Sequence, residues 1–563
     1  MRNKTIFLLF ILLLGFFLRF YRLGDVPAGL HRDEAFLGYN AFSILKTGGD
    51  INGNLLPLHL QSFLFSPAGY SYFSIPFIKI FDLSSFSVRF ASALFGSLTV
   101  ILVFFITKEL FSKRLRESKK ININMLASTS ALLLAISPWH INLSRTATEN
   151  TIVVFFISLG LLFYLFWLRK KGFIFLQLSF FSFGLTFLLY QAPRVFLPFF
   201  IPLMVFFLSK EIFKKREVIT LICHFLLTTI LPLILILSSK DLSLRIRTVS
   251  LFSTDYTNLV IEEQIREDGV SDSPRIITRI FHNKPLGYFS QFTQNYFKHF
   301  SYDFLFSSGG FPDRYRVPLS GLIYLFEIPF LLLGGIFLFN KERKIGAFLL
   351  TWVALAPIGS SLAFDDVPNL QRTLIIFPAL SIISAYGVYN FLSLFTNLIY
   401  KKIFIVSASI ILFFNVFFYL HQYYIHLNLY RPWFRNDGYK ELVKKVNDFL
   451  PVYKKAVITN HESAPTIFFL FYSRYNPSLF QKETKNTLMK DFDRVGFGPY
   501  EFSQEECPLR EISGKEKGLI DSTDKRDIIY VNGGLCKEIY SSKTLSVINR
   551  GDHSRVFNIA SLK

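Results

Sequence analysis

Apolar runs of membrane length alternate with short, mostly basic connections over the first three quarters of the chain, and the alternation ends near residue 421. A bilayer core of about 30 Å takes roughly 17 to 25 residues per helix. Runs near that size, bounded by charge, fall at 5–18, 90–111, 124–140, 151–168, 173–190, 195–209, 217–237, 318–339, 345–362, 372–396 and 403–420. They predict a polytopic α-helical membrane protein with about eleven transmembrane helices. Residues 5–18 follow Met1-Arg2-Asn3-Lys4 as the apolar part of a signal peptide would. No small-residue cleavage pattern comes after them, so they are read as an uncleaved span. The apolar stretch 70–81 is short and carries Lys79, which predicts a segment lying in the interface instead of crossing.

Short cytoplasmic connections are enriched in Lys and Arg. With the N-terminus inside, the inner connections are 113–120, Arg169-Lys170-Lys171, 210–216, 341–344 and Lys401-Lys402, all of them basic. An odd number of spans then puts the region from about residue 421 outside, together with 22–89, 141–150, 190–194, 238–317 and 363–371. The loop 238–317 is rich in aromatics and carries Arg245, Arg247, His282 and Lys284. Beyond 421 the pattern is that of a soluble domain. Leu442, Val443, Val446 and Phe449 recur at helical spacing, and Ala456-Val457-Ile458-Thr459 reads as a buried strand. Asp527-Ile528-Ile529-Tyr530-Val531 reads as another, ending in the turn Asn532-Gly533-Gly534. The expected division is a membrane domain over 1–420, with outer loops 22–89 and 238–317, and a small extracytoplasmic α/β domain over 421–563.

Composition agrees with a membrane protein: 51% of residues are hydrophobic, 17% aromatic and 68 are Phe, with a mean hydropathy of +0.38. A net charge of +21 would suit nucleic acid, but much of it lies in the connections, where it sets orientation, and no nucleic-acid partner is expected. Three cysteines exclude a disulfide scaffold and a thiolate zinc cluster. Cys223 lies in an apolar run, while Cys507 and Cys536 share the predicted outer domain and are expected to pair there if the compartment is oxidising.

Candidate chemistry gathers at the outer turns. Asp33 and Glu34, flanked by His31 and Arg32, follow the first span. They are either a solvated loop start or a general base with a neighbouring acid that tunes it or holds an acceptor. Arg145, Arg194 and Arg372 fall at three further outer turns. One such arginine commonly snorkels to the interface, whereas three together suit a phosphate, because the guanidinium fork grips its oxygens bidentately. Tyr190 and Gln191 share the tight turn of Arg194, and Asp365 and Asp366 share the segment of Arg372. Glu327 falls near the middle of an apolar span, where an acid is either functional or protonated and bonded to a neighbouring helix. His224 reads as a packing residue, and His31, His59, His140 and His282 are outer. No histidine pair has metal-binding spacing such as HExxH, so a divalent metal is not indicated and no cofactor is required.

The stretch Leu23-Gly24-Asp25-Val26-Pro27 leading into His31-Arg32-Asp33-Glu34-Ala35 resembles the first outer loop of the GT-C glycosyltransferases of glycosyltransferase family 39, which include protein O-mannosyltransferases and the lipid A aminoarabinose transferase. Three later stretches fit in order: Ser137-Pro138-Trp139-His140 with Ser144-Arg145, Tyr190-Gln191-Ala192-Pro193-Arg194, and Asp365-Asp366-Val367-Pro368-Asn369 with Gln371-Arg372. The resemblance spans roughly residues 1–420. It implies the GT-C fold, a polyprenyl-phosphate sugar donor, an outer active site and inversion at the anomeric carbon, with the first acid of the loop, here Asp33, as catalytic base. The C-terminal region does not resemble the β-trefoil of eukaryotic protein O-mannosyltransferases, and the WWDYG signature of oligosaccharyltransferases is absent.

The expected function is transfer of a single sugar from a polyprenyl-phosphate donor to an acceptor hydroxyl of a cell-envelope glycan, lipid or protein, at the outer face of the plasma membrane. Asp33 and Glu34 would be catalytic, and Arg145, Arg194 and Arg372 would hold the donor phosphate. His31, Tyr190, Gln191, Glu327, Asp365 and Asp366 would support them. The rival reading is a membrane transporter or lipid flippase, which should show a repeated half and broken helices at mid-depth; the chain shows no second half. A non-catalytic assembly protein would leave the acids and arginines without a purpose.

Overall fold

The structure is a computed structural model of the chain. It describes residues 2–60, 66–112, 122–209, 214–238, 248–253, 255–270, 274–487, 495–509, 527–537 and 542–562. The inner connection 113–120, residues 210–213 of a second one, and Arg245 and Arg247 lie outside the described residues.

Among the described residues six helical segments are long and apolar enough to cross a membrane: Ser85–Phe111, Glu149–Lys170, Lys215–Ser238, Arg343–Ser361, Leu374–Ser393 and Leu398–His426. Shorter apolar helices at Ile6–Phe20, Ile123–Ile136, Phe173–Leu188 and Ala192–Leu208 fall on four more of the expected spans. The remaining one, 318–339, differs from expectation. Its first part is irregular, Leu325–Glu327 forms a 3-10 turn, and the α-helix starts only at Ile328 and runs to Lys341. Pro329 in the first turn suits a helix start. Glu327 is therefore the N-cap of this helix and not a mid-span acid.

The chain forms two compact units. The first comprises Met1–Arg19, Phe95–Leu143 and Glu149–Tyr419. Its helices approach closely where side chains are absent: a Cβ on Gly334 would lie 2.0 Å from Ile383 O, and one on Gly387 2.0 Å from Phe330 O. Any side chain at either position would force the helices Ile328–Lys341 and Phe377–Ser393 apart. The segment Leu398–His426, by contrast, leaves Ile410, Phe413, Phe414 and Phe417 exposed, as a lipid-facing helix does. The loop 238–317 carries helices Tyr256–Val270, Arg275–Phe281 and Lys284–Lys298. His224 packs between Phe173 and Phe180, as the sequence suggested.

The second unit comprises Phe20–Leu94, Ser144–Thr148 and Leu420–Lys563. The outer loop expected to belong with the membrane domain thus groups with the C-terminal region. The reason is the helix Arg32–Thr47, which is buried continuously from Glu34 to Ile44. It packs on the helix Pro465–Tyr472 so tightly that a Cβ on Gly38 would lie 2.9 Å from the Phe471 ring, and Tyr39 Oη donates to Tyr475 O at 2.9 Å. After the small hairpin β1 (His59–Leu60) and β2 (Ser66–Pro67), the remaining strands form one sheet. These are β3 (Lys455–Thr459), β4 (Tyr500–Ser503), β5 (Ile528–Gly533), β6 (Ser542–Asn549) and β7 (Arg555–Leu562), in the order β4-β3-β5-β7-β6. β3 is parallel to both neighbours, and β7 is antiparallel to β5 and β6. The helix Tyr439–Phe449 turns Leu442, Val443 and Val446 inward, as their spacing predicts. Cys507 and Cys536 are joined by a disulfide with a Cα–Cα distance of 5.8 Å.

Candidate active site

The acid pair lies at the start of the helix Arg32–Thr47, in the second unit. His31 is its N-cap: His31 Nδ1 accepts from the Asp33 N–H at 3.2 Å, and Glu34 Oε2 accepts from the His31 N–H at 3.2 Å. This capping box satisfies first-turn donors, and acids there also complement the helix dipole. Successive helical side chains point about 100° apart, so the two acids cannot share an environment. Glu34 turns inward and is 3% exposed, while the Asp33 side chain is 39% exposed.

Glu34 is held by a fork. Arg89 Nε donates to Oε1 and Nη2 to Oε2, each at 3.0 Å, and the Ala147 N–H donates to Oε1 at 2.8 Å. Burial pushes the Glu34 carboxyl up, but the adjacent Arg89 guanidinium and the N–H donors of Ala147 and His31 outweigh it and hold the carboxyl below its usual range. Arg89 also donates to Pro27 O at 2.9 Å and Gly29 O at 2.7 Å, so one buried side chain fixes both the acid and the loop before it. Asp33 instead lies between His31 Nδ1 at 3.4 Å and Arg32 Nε at 3.9 Å. Arg145 is fully buried: its Nη2 donates to Val26 O at 3.0 Å, and its guanidinium lies over the rings of Tyr423 and Tyr424 at 5.3 and 5.1 Å.

The other candidates belong to the first unit. Arg372 Nη2 pairs with Asp365 Oδ1 at 3.0 Å and its Nη1 donates to Asp365 O at 3.0 Å; Tyr190 also hydrogen-bonds it. Asn369 Oδ1 accepts from the N–H groups of Gln371 and Arg372, which fixes this segment locally. Burial pushes the Asp366 carboxyl up, helped by Asp365 and opposed by Arg314 and Arg372. Gln191 is the N-cap of the helix Ala192–Leu208, and Arg194, in its first turn, is 3% exposed and donates to Phe187 O at 3.3 Å. Glu327 is buried beside Tyr324 and Ser384. Among the described residues no group of three or more His, Cys, Asp or Glu side chains is placed to hold a metal ion.

Sequence reasoning missed Arg89, whose signal was a lone cation at the edge of an apolar run. It also missed Asn428, Arg435 and Asn436, more than 390 residues from the acids along the chain. Nothing in their local pattern marks them.

Residues 66–236 match the family described as dolichyl-phosphate-mannose-protein mannosyltransferase. That segment contains Arg145, Tyr190, Gln191 and Arg194 and begins after the acid pair. No curated protein sequence matches the chain. Two solved structures of ArnT from Cupriavidus metallidurans, one in the apo state and one bound to undecaprenyl phosphate, align over 99% of this chain and 97% of theirs, with a TM-score of 0.50 and 10% identity. An oligosaccharyltransferase from Archaeoglobus fulgidus, in complex with Zn and sulfate, aligns over 83% of this chain with a TM-score of 0.44 and 14% identity, and this chain covers only 61% of its length. The chain has the fold of the GT-C glycosyltransferases and is similar to the protein mannosyltransferases over residues 66–236 and to ArnT over nearly its whole length.

Proposed function

We propose that the chain is an inverting membrane glycosyltransferase that moves one sugar from a polyprenyl-phosphate donor to an acceptor hydroxyl on the outer face of the membrane. The observation that carries this reading is the division of labour between adjacent acids. Glu34 is bound to Arg89 and positions the loop; Asp33, partly exposed beside His31 and Arg32, is the carboxylate that solvent and an acceptor can reach, and it receives the proton. The acceptor oxygen attacks the anomeric carbon while its proton passes to Asp33, and the bond to the lipid phosphate breaks on the opposite face. Arg194 and Arg372 stabilise the departing phosphate. Arg145, seated under Tyr423 and Tyr424, braces the acid loop through Val26. The similarity to a family of lipid-phosphate-sugar enzymes supports the donor class, as does the capture of undecaprenyl phosphate by ArnT. Basic connections such as Arg169-Lys170-Lys171 support a cytoplasmic position for that side.

Mass spectrometry of the lipid that co-purifies with the protein tests the reading. A polyprenyl-phosphate sugar is expected, converted to the free lipid phosphate when acceptor-containing membrane extract is added; a glycan-free lipid pool unchanged by extract would defeat it. For the phosphate assignment, Arg194→Ala is expected to weaken undecaprenyl phosphate binding by roughly ten- to a hundredfold, the usual worth of a charge-assisted contact. Binding within about twofold of wild type in both Arg194→Ala and Arg372→Ala would remove the assignment.

A further inference from the structure

Residues 427–438 form a strap between the membrane helix that ends the segment Leu398–His426 and the helix Tyr439–Phe449, all within the second unit once past Leu420. The strap is built to hold a fixed shape. Arg431, Asn436 and Gly438 have φ of 47°, 53° and 101°, and the buried Arg435 side chain turns back to donate to Leu427 O and Tyr430 O. Asp437 Oδ2 accepts from the Gly551 N–H at 2.8 Å, which ties the strap to the turn between β6 and β7.

The strap also grips the acid loop at two points. Asn428 Oδ1 accepts from the Ala28 N–H at 2.8 Å, and Asn436 Oδ1 accepts from the Arg32 N–H at 3.2 Å. Between these points Gly29, at φ 76°, leaves no room for a side chain, since a Cβ would lie 2.5 Å from Arg435 O. The Arg32 N–H is one of the helix-start donors that have no partner within the helix. We infer that Asn428 and Asn436 are positioning residues for Asp33, through which the C-terminal domain sets the register of the acid loop. This rests on Asp33 being the base. A misplacement of about 1 Å at a reacting group can cost around a hundredfold in rate, so two hydrogen bonds in the five residues leading into the acid, at Ala28 and Arg32, are enough to matter.

The test uses the full-length protein in lipid nanodiscs. In Asn428→Ala and Asn436→Ala, amide hydrogen exchange over 28–34 should rise at least about tenfold. Consumption of polyprenyl-phosphate sugars extracted from native membranes should fall by about ten- to a hundredfold, while undecaprenyl phosphate binds within about twofold of wild type. Asn428→Asp and Asn436→Asp keep the accepting oxygen and should restore the exchange protection. Unchanged exchange in both alanine variants would overturn the inference, as would raised exchange with unchanged turnover alongside an inactive Asp33→Asn. If Asp33→Asn itself turns over normally, the base assignment fails, and the exchange data still decide whether the strap holds the loop.

Discussion

Asp33→Asn is expected to lower turnover by about 10² to 10⁴, the usual contribution of general-base catalysis, with undecaprenyl phosphate still bound. The amide keeps the shape of the carboxylate and can still accept a hydrogen bond, but it does not take a proton at neutral pH. Because the Asp33 side chain is 39% exposed and the amide is isosteric with the carboxylate, the substitution should leave the fold intact. Glu34→Gln should behave differently. It loses charge in a buried pair and so loses stability as well as rate. Near-normal turnover by purified Asp33→Asn would remove Asp33 as the base, and lost lipid binding with an intact fold would make it a donor contact instead.

Arg89→Leu is expected to destabilise the protein by about 3 to 5 kcal/mol, because breaking a buried ion pair leaves the partner charged and uncompensated. Its side chain is 1% exposed and that of Glu34 is 4% exposed, so water cannot take the place of the lost partner. The carbonyls of Pro27 and Gly29 lose a donor as well. The double variant Arg89→Leu with Glu34→Gln should be less destabilised than Arg89→Leu alone, since the unpaired charge is gone. Unfolding by SDS in mixed micelles measures both; a loss below about 1 kcal/mol for Arg89→Leu would show that the pair is not the brace. The pair also gives stability a pH dependence. The folded-state pKa of Glu34 is lowered from 4.5, so its contribution is complete above that value and is lost as pH falls through the lower folded value.

Much of the architecture was legible before any coordinates. Apolar runs bounded by Lys and Arg marked helices because a membrane leaves the backbone few other solutions, and all eleven expected spans coincide with helical segments, 318–339 only in its second half. The four motif stretches led to the same GT-C class that the fold and the family match support. The α/β character of the C-terminal region was read from the periodicity over 439–449 and two apolar runs, β3 and β5, while β4, β6 and β7 were not anticipated.

Hydrophobic period and local charge are properties of neighbours in the chain, and they determined the apolar helices, the α/β character of the C-terminal region and the acid-bearing loop. Contacts between distant segments have no such period. Only the tertiary structure decided that Glu34 is buried in the fork of Arg89 while the Asp33 side chain stays partly exposed, that Arg145 is buried beneath two tyrosines, and that the loop 22–89 groups with the C-terminal region. Adjacent acids look equivalent in sequence; a helix turns them to different sides, so that one is buried in an ion pair and the other stays partly exposed.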